Sequence, residues 1–474
     1  MPEGFRKELL KNTAIVSIGK ICTQLITFFL LPVYTAVLSN EEYGVVDLLN
    51  TLTSLLLPIA TLQIEQGIFR YLIDCREDKE KQTTLITTIL RFTLIQTLIC
   101  ILIFSVLSPF IHNQYKYYLM ANLLMGIFST VLLQICRGLG DNTKYAIGSF
   151  ITGAITVVLN VLFIVAFHWG AYGMLAATAI SNLLCAVYIF IAKRLNKYIK
   201  PKKYDKKVLK EIIKYSVPLI PNMISWWIVS ASDRTIISTI LGVAQNGIYS
   251  AANKFSGVFT TLYSVFNLTW TESASININS EDKDEFFSKI LDFVIRFFGS
   301  LCLGTIAIMP FVFNILINEK FNEAYFQIPI LIIGSIFNIL VSFLGSVYVA
   351  KKLTKEIAKT SVMAAVINIV VNVVLIKQIG LYAASISTLV AYAAMFIYRW
   401  IDVKKYVNFT VNKVLIMLSI LIYIITIITY YLRNTMISAI ILLVVIVFAI
   451  VVNKNSVSYI KNIINKKLGK EVKK

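Results

Sequence analysis

Apolar residues in this chain come in long runs rather than in amphipathic stripes, with short polar breaks between them. Leu94 to Leu107 reads LIQTLICILIFSVL, and from Tyr145 to Ala192 there is no Asp, Glu, Lys or Arg. A helix of ~20 apolar residues crosses a bilayer core of ~30 Å, so the second stretch is long enough for two crossings. Helices are required, because a segment surrounded by lipid must satisfy its backbone polar groups internally. The runs fall at 12–38, 44–73, 83–108, 115–136, 145–168 and 171–192, then at 215–241, 247–275, 286–313, 326–350, 360–377, 381–402, 412–432 and 436–452. They predict an all-α polytopic membrane protein with about 14 transmembrane helices.

Composition agrees. Of 474 residues, 57% are hydrophobic and 15% charged, against ~25% charged in a soluble domain. The net charge of +20, from 45 Lys and Arg against 25 Asp and Glu, would by itself suit nucleic acid. Its placement argues otherwise. About 34 basic residues fall on one side of the spans and about four (Lys116, Lys320, Lys377, Arg433) on the other, the positive-inside pattern of a multi-pass protein. Both chain ends are therefore expected in the cytoplasm, and no nucleic-acid partner is expected. The loops on the opposite side are about a dozen residues or fewer, too short for an external domain. The first apolar run is too long for a signal peptide and is kept as a span. Cys22, Cys75, Cys100, Cys136, Cys185 and Cys302 lack metal-ligand spacing and read as small core residues.

The longest polar segment, Lys193 to Lys214, holds ten basic and two acidic residues. It is either a topology-setting tether or a helix lying on the anionic inner leaflet. It separates two six-span blocks that echo one another. Leu38 to Gly44 is matched by Leu241 to Gly247, Asn50 by Asn253, and Asn160 with Gly170-Ala171-Tyr172 by Asn372 with Gly380-Leu381-Tyr382. An even number of spans per block gives both the same orientation, related by an axis along the membrane normal. The expected organisation is an N-terminal lobe at 1–192, a linker at 193–214, a second lobe at 215–402, and a final pair of spans with a basic tail at 403–474. A cleft between the lobes is the natural substrate position.

Ionisable residues inside spans are costly and so become functional candidates. Lys20 lies about 12 Å into the first span, with Thr23, Gln24 and Thr27 on the same helix face. That stripe lines a polar cavity or forms a buried hydrogen-bond cluster. Arg234 and Lys254 lie at similar depth on consecutive spans. Either they face one site with Asp233 tempering the charge, or Asp233 neutralises a neighbouring helix's cation. Arg91 and Arg296 complete the basic set, with Asp292 placed to pair with Arg296 at i, i+4. Glu65 is a candidate for proton or Na⁺ coupling, as is Asp233. Arg70, Glu272 and Arg399 approach the cytoplasmic ends, where long side chains snorkel to the interface. Pro32, Pro218 and Pro221 would bend corresponding helices of the two blocks. Trp226 and Trp227 suit sugar stacking or plain packing, and His112 and His168 read as interfacial. The deep charges lean basic, which favours an anionic cargo. No Walker A motif, metal motif or nucleophile constellation occurs, so neither cofactor nor catalysis is expected.

Several of these features together resemble the polysaccharide-biosynthesis flippases of the multidrug/oligosaccharidyl-lipid/polysaccharide exporter superfamily. They are Lys11-Asn12-Thr13, the turn from Leu38 to Gly44 with its echo at Gly247, Asp233-Arg234, Tyr249 to Lys254, and the turns at Gly170 and Gly380. The resemblance implies two helical lobes around a central cationic cavity. It implies transport of an undecaprenyl-pyrophosphate-linked oligosaccharide to the outer leaflet of the cytoplasmic membrane of a bacterium. Lys20, Gln24, Arg91, Arg234, Lys254 and Arg296 would then meet the pyrophosphate and acidic sugars. Membrane lipids and polysaccharide polymerase machinery are the implied partners. The last two spans look like those that accompany the lipid tail in the lipid II flippase branch. The rivals are a cation-coupled drug exporter of the same superfamily, for which a carboxylate-dominated pocket is expected, and a membrane glycan polymerase or ligase, which usually needs a large external loop.

Overall fold

The computed structural model describes residues 28–454, and all regular structure among them is helical. Sixteen α-helices are present among the described residues. The first nine are α1 (Leu31–Val37), α2 (Asn40–Ala60), α3 (Ile64–Asp74), α4 (Lys79–Leu107), α5 (Lys116–Gly138), α6 (Asn142–Val161), α7 (Gly170–Ala192), α8 (Lys206–Ser216) and α9 (Ile220–Ile240). They are followed by α10 (Val243–Asn277), α11 (Lys283–Leu316), α12 (Ala324–Ala350), α13 (Thr354–Ile379), α14 (Leu381–Val403), α15 (Lys413–Leu432) and α16 (Thr435–Val452). The protein is a multi-pass membrane protein.

Eleven of these helices are long and apolar enough to cross a bilayer unaided. The first expected span lies mostly outside the described residues. The seventh and eighth, α9 and α10, are full-length helices diluted by Ser, Thr and Asn along their whole length. Polar residues of this kind are tolerated at membrane depth where they meet protein or water rather than lipid. The second span is divided into α2 and α3 by a break at Thr61–Gln63. The prolines mark helix irregularities. Pro32 follows a turn at Leu30 that interrupts the first span, and Pro218 lies in the 3-10 turn Val217–Leu219 that joins α8 to α9, with Pro221 in the first turn of α9. A proline lacks the N–H that would bond one turn back, and its ring crowds the carbonyl there, which breaks the regular helix at these points.

By packing, the chain divides into two units, residues up to 251 with 372–381, and 252–371 with 382 onward. In the first unit α5 and α6 pack against α7. The outer face of α4 shows Leu94, Leu98, Leu102 and Val106 at one-turn spacing, each more than half exposed, which is a lipid-facing stripe. Near its other end Ile64, Ile68, Leu72, Ile89, Ile135 and Ile212 share one apolar core.

The basic segment is folded onto this unit. Thr87 donates to the Tyr198 carbonyl at 2.6 Å and accepts the Lys200 N–H at 3.1 Å, while Thr88 accepts the Asp205 N–H at 3.1 Å. Asp205 caps α8 by accepting from the N–H groups of Lys207 and Val208. Leu209, Ile212 and Ser216 are buried, and Gly67 of α3 gives Ile212 and Ser216 the space they fill. The apolar face of α8 is thus spent on protein, so α8 does not lie in the leaflet as an amphipathic helix would. Lys206, Lys207, Lys210 and Lys214 remain exposed. At the same end Asp141 ties Lys144 and Lys193 at 3.0 and 3.1 Å. Burial pushes its carboxyl up, but the hydrogen bonds from both lysines prevail and hold it below the usual carboxylate range. The tie is present above that range and is lost as pH falls through the lowered value.

In the second unit Trp270 of α10 stacks on Phe343 of α12 at 4.6 Å and 6°. Its indole N–H donates to the Phe343 carbonyl at 3.2 Å. Arg399 is a correction to the expected snorkelling. It is 2% exposed, donating to Thr360 Oγ1 at 3.1 and 2.8 Å and to the Val341 carbonyl at 2.9 Å. Gly345 leaves room for its guanidinium. The final helices are fastened by polar contacts. Tyr325 of α12 and Tyr430 of α15 stack at 4.2 Å, and each hydroxyl donates to the other's carbonyl, at 3.3 and 2.7 Å.

Gly67→Leu would overpack the α3–α8 contact, at about 1–3 kcal/mol. The expected result is faster proteolysis between residues 193 and 214, read on the full-length protein in detergent.

Candidate functional site

At one end of the first unit α2 and α10 begin and α9 and α13 finish. Ser39 and Glu42 form a reciprocal capping box that starts α2 immediately after the turn from span one. The first turns of α2 and α10 then cross at Gly44 and Gly247. A Cβ on Gly44 would overlap the Val243 carbonyl oxygen, and one on Gly247 would overlap the Asn40 carbonyl oxygen. Only glycine allows this approach, the means by which membrane helices bring their backbones together. Asn246 donates to the Gly44 carbonyl at 2.9 Å. Gly44 and Gly247 are the glycines that end the two matching turns, Leu38 to Gly44 and Leu241 to Gly247.

Beneath the crossing lies a buried polar network. Arg234 of α9 pairs with Asp47 of α2 at 2.8 Å, with side chains 18% and 15% exposed. Asp233, on the neighbouring face of α9, accepts from Tyr249 of α10 at 3.0 Å and from Asn372 of α13 at 2.9 Å. Asp233 and Arg234 thus serve different helices. Trp227 donates to the Thr51 carbonyl at 3.0 Å, a packing role. The same contact recurs in the first block, where Asn160 of α6 donates to the Tyr34 hydroxyl of α1 at 3.0 Å. Asn160 and Asn372, matched in the sequence, each tie the fifth span of a block to its first.

Asp47 was missed in the sequence. It sits one turn after Gly44, close to the helix start, where a carboxylate passes for an interfacial residue. The signal available was its i, i+3 relation to the glycine, which puts it on the crossing face.

The other candidates are dispersed. Lys20 and Gln24 lie outside the described residues. Arg91 is exposed, its guanidinium 4.8 Å from the centre of the Tyr204 ring in the linker. Arg296 pairs with Asp292 at 2.6 Å, as the i, i+4 spacing requires, and also donates to the Val452 carbonyl at 3.2 Å. Lys254 is half-buried on α10. Glu65 is buried at the start of α3, and Arg70 pairs with Asp74 instead, at 2.6 Å. Among the described residues no group of three His, Cys, Asp or Glu is placed to hold a metal ion.

A family model described as polysaccharide biosynthesis protein matches residues 9–270, more than half of the chain. The chain belongs to this family. The matched region includes the glycine crossing, the polar helix α9 and α10 as far as Trp270. Solved structures share the fold at low identity. The lipid II flippase MurJ in an inward closed conformation superposes with a TM-score of 0.65 at 15% identity, covering 94% of this chain and 100% of that one. An inward-facing multidrug resistance MATE transporter of the MOP superfamily gives 0.62 at 14%, covering 82% and 98%. A MOP superfamily transporter from Pyrococcus furiosus, reported with a binding pocket of reversed polarity, gives 0.57 at 13%, covering 83% and 96%. No curated protein matches the chain. This polysaccharide biosynthesis family protein therefore has the membrane-transporter fold of the MurJ and MATE proteins.

Removing one partner of the Asp47–Arg234 pair leaves a partly buried charge without compensation, so Asp47→Ala should cost about 3 kcal/mol. The Asp47→Ala/Arg234→Ala double variant should recover about 1–3 kcal/mol of it, read by thermal unfolding as a double-mutant cycle. Gly247→Val should force the crossing apart. Spin labels at Glu41→Cys and Ala244→Cys, both on exposed positions, are expected to show a longer mean distance in that variant.

Proposed function

We propose that this protein carries an anionic, undecaprenyl-pyrophosphate-linked oligosaccharide from the cytoplasmic to the outer leaflet by alternating access, for cell-surface polysaccharide synthesis. Membership of the polysaccharide biosynthesis family carries this reading. In it both chain ends are cytoplasmic, on the side of the basic loops. The Gly44–Gly247 crossing then lies at the outer end. Its polar network is the closed outer side of the transporter, to be separated when the cargo leaves.

The residues assigned to the cargo are Lys20 with Gln24 on the first span and Lys254 on α10, with Arg91, Arg234 and Arg296 contributing to the field. Lys20, on the first span, and Lys254, on α10, are the two to test first. Membrane lipids surround the path, and polysaccharide polymerase machinery is the expected recipient. Drug export with cation coupling is a second reading, favoured by the MATE likeness and by the buried carboxylates Asp233 and Glu65.

The test is a leaflet-accessibility assay for the lipid-linked glycan in cells depleted of the protein and complemented with Lys20→Ala or Lys254→Ala. Depletion should trap the glycan in the inner leaflet, and each variant should lower the rate at least tenfold. Glycan that still reaches the outer leaflet after depletion overturns the flippase reading. Loss of drug resistance instead would support the exporter.

A further inference from the structure

The second membrane crossing is interrupted, and the interruption is strained. α2 ends at Ala60, two residues after Pro58, and α3 starts at Ile64. Between them Leu62 and Gln63 have φ of 54° and 56°. Left-handed conformations cost residues other than glycine of order 1 kcal/mol or more, so a fold keeps two in succession only where something over-determines them. The packing against α8 at Gly67 does not require them, since it lies a turn beyond the break.

Polar side chains without partners gather at this break. Glu65, in the first turn of α3, is 5% exposed, and its Oε2 has no hydrogen-bond partner among the described residues. Its neighbours are local, its own N–H and the Thr61 hydroxyl. On α4, Thr93 is fully buried and Gln96 is 5% exposed, and among the described residues neither the Thr93 hydroxyl nor the Gln96 amide has a partner. Register places them beside the break. Gln82 of α4 donates to the Cys75 carbonyl at 3.0 Å. At 1.5 Å per residue Glu65 lies about 15 Å from that anchor along α3, and Thr93 about 16 Å along α4. Gln96 is one turn further, level with the turn at Thr61.

Among the described residues, the charged groups of the surrounding helices are engaged elsewhere; Lys20 lies outside them. On α3 Arg70 holds Asp74, and Arg76 beyond it donates to the Gly138 carbonyl. On α4 Lys81 pairs with Asp78, Glu80 with Lys203, and Arg91 faces Tyr204. Arg137 of α5 lies on the Phe69 and Tyr145 rings, Asp47 of α2 holds Arg234, and the lysines of α8 are exposed. A buried carboxylate without a counter-charge does not persist as an anion. It takes up a proton or a metal cation.

We propose that the break is a binding site for a small monovalent cation, a proton or Na⁺. Glu65 is its charged ligand, and the Thr61 and Thr93 hydroxyls and the Gln96 amide oxygen are neutral ligands. Hard oxygen donors of this kind suit Na⁺, and broken helices are where transporters expose backbone and side-chain oxygens to such ions. Binding removes the burial cost of the carboxylate and completes the orphaned polar groups together. The site is independent of the nature of the cargo.

The experiment uses the purified full-length protein and ²²Na⁺ in a scintillation proximity assay across a pH series, with infrared difference spectroscopy of the protonated carboxyl band on the same samples. If Na⁺ is the ligand, Glu65→Gln should weaken binding at least tenfold and Thr93→Val several-fold, while Glu281→Gln, at an exposed position before α11, leaves it unchanged. If a proton is the ligand, no Na⁺ binds, and a carboxyl band that titrates in the native protein is missing from Glu65→Gln. Should Glu65→Gln fail to fold, Thr93→Val and Glu65→Asp carry the test by the same two readouts. Na⁺ binding unaffected by these changes overturns the proposal, as does the absence of both Na⁺ binding and a Glu65-dependent carboxyl band. Because neither readout involves glycan movement, failure here leaves the flippase reading standing, and failure of the flippase reading leaves this site standing.

Discussion

Polar groups held away from water must find their partners inside the protein, and this structure is organised around that constraint. Apolar side chains gain little by leaving lipid for protein, so helices associate through close packing and the few hydrogen bonds and ion pairs they share. The contacts that join distant parts of the chain accordingly centre on polar residues. Asp47 holds Arg234, Asn372 and Tyr249 converge on Asp233, Thr360 and a carbonyl receive Arg399, and two tyrosines exchange carbonyls between α12 and α15. Each ties together segments that sequence order leaves apart.

The same constraint separates what the chain announces from what it withholds. Helical class and the succession of spans follow from runs of apolar residues, because lipid admits few alternatives. Gly170 and Gly380, picked out as matching turns, both adopt positive φ, 53° and 58°, at the starts of α7 and α14. The pairing of charges was less readable. Arg234 and Asp233 are adjacent in sequence yet serve different helices, because successive residues point about 100° apart. Arg399 looked interfacial by its distance from the helix end. Its burial depends on Thr360 and Gly345, which belong to other helices and carry no local mark. Asp47 escaped notice for the converse reason, since a carboxylate near a helix start needs no special explanation.

Two regions hold more structure than their sequence shows. The basic segment between the blocks is anchored by the Thr87 and Thr88 hydroxyls and by the buried face of α8, so its lysines are presented from a fixed platform. The second span reads as one apolar run, but contains a strained turn with orphaned side chains around Glu65. In both cases ordinary residues take special geometry from neighbours that composition does not reveal.

Two stretches of one chain that resemble each other can each change without regard to the other, so long as they do not touch. Gly44 and Gly247 do touch, and a side chain on either would strike the backbone of the other helix. Neither position can take a larger residue while the other helix stays in place.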